Sequence, residues 1–163
     1  MFGKSLMLRV VVFVSIAGIF SGCGSKSPTS ADDGSSTSTN LNGPGKLSVS
    51  VNPNPVPFSG KPITDVAGCA QRNNTWYYEQ VLEDTGGAAL TITSEIDMFD
   101  GFVVNNLTDL HITVPANGKT TLNPRWCSAE SKSHTAQSTF GGVDAKGNSF
   151  TVSGPKVTLM AAH

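Results

Sequence analysis

The stretch WYYEQVLEDTGGAALTITSEIDM, residues 76–98, decides the fold class. Trp76 to Asp84 and Ala88 to Met98 are two β-prone runs separated by Gly86-Gly87. A Gly-Gly pair in that position signals a hairpin, because primed turns need positive φ. In the second arm Leu90, Ile92, Ile96 and Met98 share one face under strand alternation, while Thr91, Thr93, Glu95 and Asp97 share the other. That pattern predicts an antiparallel sheet with one face on a core and one face in water.

The neighbouring segments repeat the pattern. Leu47, Val49 and Val51 alternate with Ser48 and Ser50, and Leu110, Ile112 and Val114 alternate with His111 and Thr113. Asn52 to Phe58 carries three prolines, which belong at an edge or bend because each lacks an N–H. Asn117-Gly118 marks a turn, Thr120 to Cys127 and Thr135 to Phe140 read as strands, and the turn at Asp144 to Asn148 leads into Phe150 to Leu159. No stretch after the amino-terminal segment sustains helical periodicity, so the domain, residues 47–163, is expected to be all-β with about seven to eight strands. The Pro-rich 52–58 segment and the closing FGGVDAKGNSFTVSGPKVTL, residues 140–159, are similar to bacterial immunoglobulin-like domains. The resemblance implies an antiparallel β-sandwich. It departs from antibody-type domains, in which the core Trp lies farther beyond the first cysteine than Trp76 lies beyond Cys69.

The amino terminus has a different composition. Lys4 and Arg9 precede an apolar run from Val10 to Phe20, which closes on Phe20-Ser21-Gly22-Cys23. A positive flank, roughly 7–15 apolar residues and small residues at the cut describe a secretory signal. A bilayer-crossing helix needs about 20 apolar residues, more than this run supplies. The segment resembles a bacterial lipoprotein precursor with the lipobox FSGC. That resemblance implies a signal peptide over residues 1–22, removed on processing, and diacylglycerol and palmitate-type acylation at Cys23. It also implies a location in the cell envelope, anchored in the lipid bilayer. Gly24 follows the cysteine where an Asp would favour inner-membrane retention in enteric bacteria, so the outer membrane is expected in a Gram-negative host. From Gly24 to Lys46 only Ala31 and Leu41 offer apolar side chains, and residues 23–46 read as a flexible, lipid-anchored linker. A coil of that length has a root-mean-square span of roughly 25–30 Å.

Charge excludes a nucleic-acid partner. Without Lys4 and Arg9 the chain keeps nine basic against twelve acidic residues, a formal charge of −3, with no cluster of Lys or Arg to neutralise phosphates. With Cys23 assigned to lipid, Cys69 and Cys127 remain in an oxidising compartment and are expected to form a disulfide. No C-x-x-C occurs and no histidine stands at ligand spacing from either, which disfavours a redox pair or a metal site.

Little in the sequence points to catalysis. There is no G-x-S-x-G, and His111, His134 and the terminal His163 read as surface histidines without partners. Asp97, Asp100, Asp144 and Asn148 raise the question of calcium, but they match no EF-hand spacing and read first as turn residues. No metal, cofactor or enzymatic activity is expected. Trp76, Tyr77 and Tyr78 are consecutive on a strand, so with Trp76, Tyr78 and Leu82 inward, Tyr77 faces outward as the candidate binding residue. Trp126 reads as a core residue packed on the disulfide. The function expected is a non-catalytic binding or assembly module for an envelope protein or glycan. The alternatives are a carbohydrate-binding module, marked by coplanar exposed rings, and a protease inhibitor. The last rests on Asn52-Pro53, Gly86-Gly87 and Arg125-Trp126, which resemble the loop motifs of chagasin-like inhibitors.

Overall fold

The computed structural model describes residues 43–162. The expected signal segment, Cys23 and the linker up to residue 42 lie outside those residues, as does His163. The described chain forms eleven strand segments and no helix. They are β1 Leu47–Asn52, β2 Asn74–Tyr77, β3 Glu79–Asp84, β4 Leu90–Phe99, β5 Phe102–Leu107, β6 Ile112–Val114, β7 Lys119–Leu122, β8 Arg125–Ser128, β9 His134–Asp144, β10 Ser149–Ser153 and β11 Val157–Leu159. β2 and β3 are one strand broken at Tyr78, β7 and β8 one strand broken at Asn123-Pro124, and β10 and β11 both pair with β9. Joined across those breaks, the segments make the eight strands of a sandwich.

All strand pairs are antiparallel. One layer has the order β1-β3-β7, continued by β2-β8. The other has the order β10-β9-β4-β5, with β6 also on β4. The first, second and sixth of these strands thus face a layer built from the third, fourth, fifth, seventh and eighth, as in an immunoglobulin-like sandwich. Past Asn52 the chain leaves the first layer, and Val56 bridges Leu159 of the second. Prolines fit that crossing, where a strand-interior N–H is not required.

Side chains from both layers fill the interior. Leu47, Leu82 and Leu122 meet Leu90, Ile92, Ile112, Val114 and Phe140 in one cluster. Trp76, Tyr78 and Trp126 meet Val56, Ala136, Val157 and Leu159 in a second.

The turn at Gly86-Gly87 does not close a hairpin, contrary to the sequence reading. β3 lies in one layer and β4 in the other, so the chain crosses over the end of the sandwich. The cause is Asp84, whose carboxylate accepts the N–H groups of Gly86 (3.0 Å) and Gly87 (2.9 Å) and bends the chain away from the plane of β3. Gly87 has φ +100°, and a Cβ at Gly86 would run into the carbonyl oxygen of Pro44.

The two faces expected for β4 also change places halfway along it. Its pairing with β9 shifts between Ile92 and Ser94, leaving Thr93 as an extra residue. Such a bulge reverses the alternation beyond it. Leu90 and Ile92 are buried as expected, but thereafter Glu95 and Asp97 point inward and Ile96 outward. Opposite the bulge stand Gly141 and Gly142, and a Cβ at Gly142 would strike the Thr91 carbonyl. That glycine pair is the sequence signal for the close approach.

Candidate functional site

Tyr77 stands, as expected, on the outer face between the inward-facing Trp76 and Tyr78. It is half-buried, packed against a small cluster of Ile63, Val66, Cys69 and Cys127. Its hydroxyl lies 3.0 Å from the Lys61 carbonyl and 3.2 Å from that of Pro62. The Lys61 ammonium is 6.0 Å from the ring centroid. Burial raises the phenol pKa against the opposing pull of Arg125, which keeps the hydroxyl protonated. The ring is thereby fixed, with part of its surface covered.

Beside it opens a groove of about 450 Å³, lined by Asn52, Pro53, Tyr77, Glu79, Asn123 and Arg125 among others. It lies where β1 departs and where both long strands of the first layer break. Arg125 is held from behind by a bidentate pair with Asp65, at 2.8 and 3.0 Å. That guanidinium hydrogen bond holds the Asp65 carboxyl below its usual range. Tyr77 and Arg125 are therefore both fixed by partners outside the groove, which lowers the ordering cost of binding.

Cys69 and Cys127 form a disulfide with a Cα–Cα distance of 5.7 Å, tying the segment before β2 to β8. Trp126 does not pack on it. Neighbouring residues of a strand face opposite sides, so Cys127 points out of the sandwich and Trp126 into it. There Trp126 stacks on Phe99 at 5.4 Å and donates its indole N–H to the Tyr78 hydroxyl at 3.0 Å. The aromatic residue at the disulfide is Tyr77.

His134 is not a surface histidine. It is 3% exposed, with Trp76 edge-on at 5.5 Å and Phe99 tilted at 4.8 Å. Its Nδ1 lies 2.7 Å from the Asp100 carboxylate and its Nε2 3.3 Å from the Glu130 carbonyl. Although burial alone would raise the Asp100 pKa, the His134 bond and the Thr135 N–H bond (2.8 Å) hold it low. His111 is exposed, with Nδ1 3.0 Å from the Asp109 carbonyl, so it too has a partner.

The four residues considered for calcium are not gathered. Asp97 lies inside the sandwich, bound by Ser138 Oγ at 2.5 Å and Asn105 Nδ2 at 3.2 Å. Asp144 pairs opposite Leu90, at the other end of β4 from Asp97 and Asp100. Its oxygens accept the N–H groups of Gly45, Lys146 and Asn148 and the Asn148 side-chain amide, at 2.8–2.9 Å. Those bonds, led by the Asn148 amide, push its pKa far below the ordinary carboxylate value. Asp84 accepts four main-chain N–H groups: Lys46 (2.9 Å) and Gly86 on one oxygen, Gly87 and Asn117 (2.9 Å) on the other. Asp84 and Asp144 thus bind the main chain of Gly45 and Lys46, just ahead of the expected domain start, and clamp the point where the chain enters the sandwich. Sequence analysis missed both clamps and the His134–Asp100 pair. Only the local Asx turns at Asp84 and Asp144 were open to it.

The chagasin-type motifs do not share a surface. Asn52, Pro53 and Arg125 line the groove, whereas Gly86-Gly87 lies at the clamped end. Nor do exposed rings form a coplanar pair among the described residues, since the only strongly exposed one is Phe102.

No protein-family model matches the sequence, and no curated protein matches it in sequence. In three dimensions the chain is similar to a crystal structure from Bordetella pertussis described as "Putative ApaA Protein". The TM-score is 0.55 at 16% identity, over 74% of this chain and 98% of that one. It is also similar to the CARDB domain of PF1109 from Pyrococcus furiosus. The solution structure gives a TM-score of 0.43 at 15% identity, covering 71% and 95% of the two chains. The crystal structure with two metal ions gives 0.43 at 15%, covering 71% and 94%. The first likeness shows a shared fold and nothing of activity.

Proposed function

We propose that this protein is a bacterial envelope lipoprotein that displays a non-catalytic β-sandwich on an acylated Cys23, with the Tyr77–Arg125 groove as its binding face for an envelope protein or glycan. The observation that carries the anchor is the run from Lys4 to Cys23, a charged flank and short apolar core ending in Phe20-Ser21-Gly22-Cys23. One acyl chain binds a membrane marginally and two bind it stably, so a diacylated or triacylated cysteine suits lasting attachment. The clamps at Asp84 and Asp144 support the display role, because they fix Gly45 and Lys46, where the chain enters the sandwich, to one end of it.

The groove supports binding over chemistry. Its two fixed side chains are partnered from behind, and the buried acid–hydroxyl contact, Asp97 with Ser138, lies inside the core where a substrate has no access. Cys23→Ala is expected to abolish palmitate labelling and to release the protein from the envelope fraction. Continued labelling and envelope fractionation of that variant would overturn the anchor. The binding role is tested by cross-linking in the native envelope, where Tyr77→Ala is expected to weaken capture of a partner that wild type retains, without loss of fold.

A further inference from the structure

We infer that the free edge of β5 is a docking site for an extended strand of a different protein, apolar along its length and basic at its ends. The inference does not depend on the anchor or on the groove. β5 is the terminal strand of its layer among the described residues, with pairing to β4 on one side alone. Its sequence, FVVNNL, contains no charge and no proline, the usual devices that protect an edge from pairing. Phe102 is 75% exposed and Val103 61%, whereas the other exposed large apolar residues stand at 36–38%. A solvated aromatic beside an aliphatic residue, on an unpaired edge, marks an interaction surface.

Position agrees with that reading. β4 starts at Leu90, beside the clamped Gly45, and the turn into β5 at Asp100-Gly101 closes its far end. Phe102 and Val103 therefore sit at the end of the sandwich remote from the linker. Val104 is an extra residue in the β4–β5 register and packs against the core. The resulting bend disfavours the flat, regular stacking of an aggregate and asks for a strand that follows it.

Charge selects among occupants. β5 is bounded by Asp100 before it and Asp109 after it, and Asp109 is exposed with no ion pair among the described residues. A second copy pairing antiparallel in full register would set Phe102 against Leu107 and bring Asp100 beside Asp109, acid against acid. An incoming strand with lysine or arginine at its ends meets the exposed Asp109 favourably, and to a lesser degree the partly exposed Asp100, which His134 and Thr135 already hold.

The test uses the full chain and the synthetic peptide Lys-Val-Thr-Val-Thr-Val-Lys, with a Glu-flanked version and one with central proline as comparisons. Hydrogen exchange over residues 102–107 should slow on adding the Lys-flanked peptide, and proline should abolish the effect. An exposed ion pair gives a preference of about 2–5-fold for basic over acidic flanks. Asp109→Lys should remove that preference or reverse it. Phe102→Ser should weaken binding with the melting temperature unchanged, because the side chain lies largely in water. The proposal is overturned if millimolar peptide leaves β5 exchange unaltered, or if the flanks make no difference. It is equally overturned if β5 is protected by raising the protein's own concentration with a dimer in sedimentation, which assigns the edge to a second copy.

Discussion

Asp84→Asn should destabilise the sandwich by about 2–4 kcal/mol, although it changes one atom. The carboxylate is buried and each oxygen accepts two main-chain N–H groups, Lys46 and Gly86 on Oδ1, Gly87 and Asn117 on Oδ2. An asparagine presents one oxygen and one NH2. Whichever way the amide turns, two N–H donors then face a donor, and two charge-assisted bonds worth roughly 1.5–3 kcal/mol each are lost. Lys46 and Asn117 are exposed, so water restores part of that loss. Equilibrium urea unfolding followed by Trp76 and Trp126 fluorescence measures the change, since both indoles are buried in the native state. The midpoint should fall with the m-value unchanged. The pH dependence supplies a second reading. Burial alone would raise the Asp84 pKa, but the four N–H bonds outweigh it and the net shift is downward. A depressed folded pKa contributes stability that is complete above the unfolded value of about 3.9 and is lost as pH falls through the folded one. Wild type should therefore lose stability below about pH 4, and Asp84→Asn should show a shallower acid slope. A variant within about 0.5 kcal/mol of wild type, with the same acid slope, would refute the clamp.

Four further outcomes follow from the same geometry. Thiol titration of the unfolded, unreduced protein should find Cys69 and Cys127 blocked, and reduction should cost up to about 4 kcal/mol for a closed loop of this length, read as a fall in melting temperature. Trp126→Ala should cost about 3–5 kcal/mol in urea unfolding, while Trp126→Phe keeps the Phe99 stack, loses the bond to Tyr78 and costs less. Gly86→Ala should displace Pro44 to Lys46 from the sandwich, seen as faster hydrogen exchange at Lys46, because a Cβ there meets the Pro44 carbonyl. Asp100→Asn should destabilise at neutral pH and remove part of the acid slope, since His134 and Thr135 hold that carboxyl below its ordinary pKa.

The sequence by itself determined that the domain is all-β and antiparallel, because strand alternation and turn chemistry are local, and its resemblance to immunoglobulin-like domains supplied the sandwich. The inward set Leu47, Leu82, Leu90, Ile92, Ile112 and Val114 follows from a period of two within single strands. The pairing of Cys69 with Cys127 followed from compartment and count, and the outward direction of Tyr77 from its place between Trp76 and Tyr78. Tertiary structure decided the rest. Alternation cannot announce an inserted residue, so the bulge at Thr93 that turns Glu95 and Asp97 inward was invisible until Gly141 and Gly142 were seen opposite it. The crossing at Gly86-Gly87 depends on Asp84 capturing Lys46 and Asn117, which are 38 and 33 residues away in the chain. His134 is buried because Asp100, 34 residues earlier, meets its ring, and no spacing rule reaches that far. Local periodicity fixes which way a side chain points. Only the packing of distant segments fixes what it meets there.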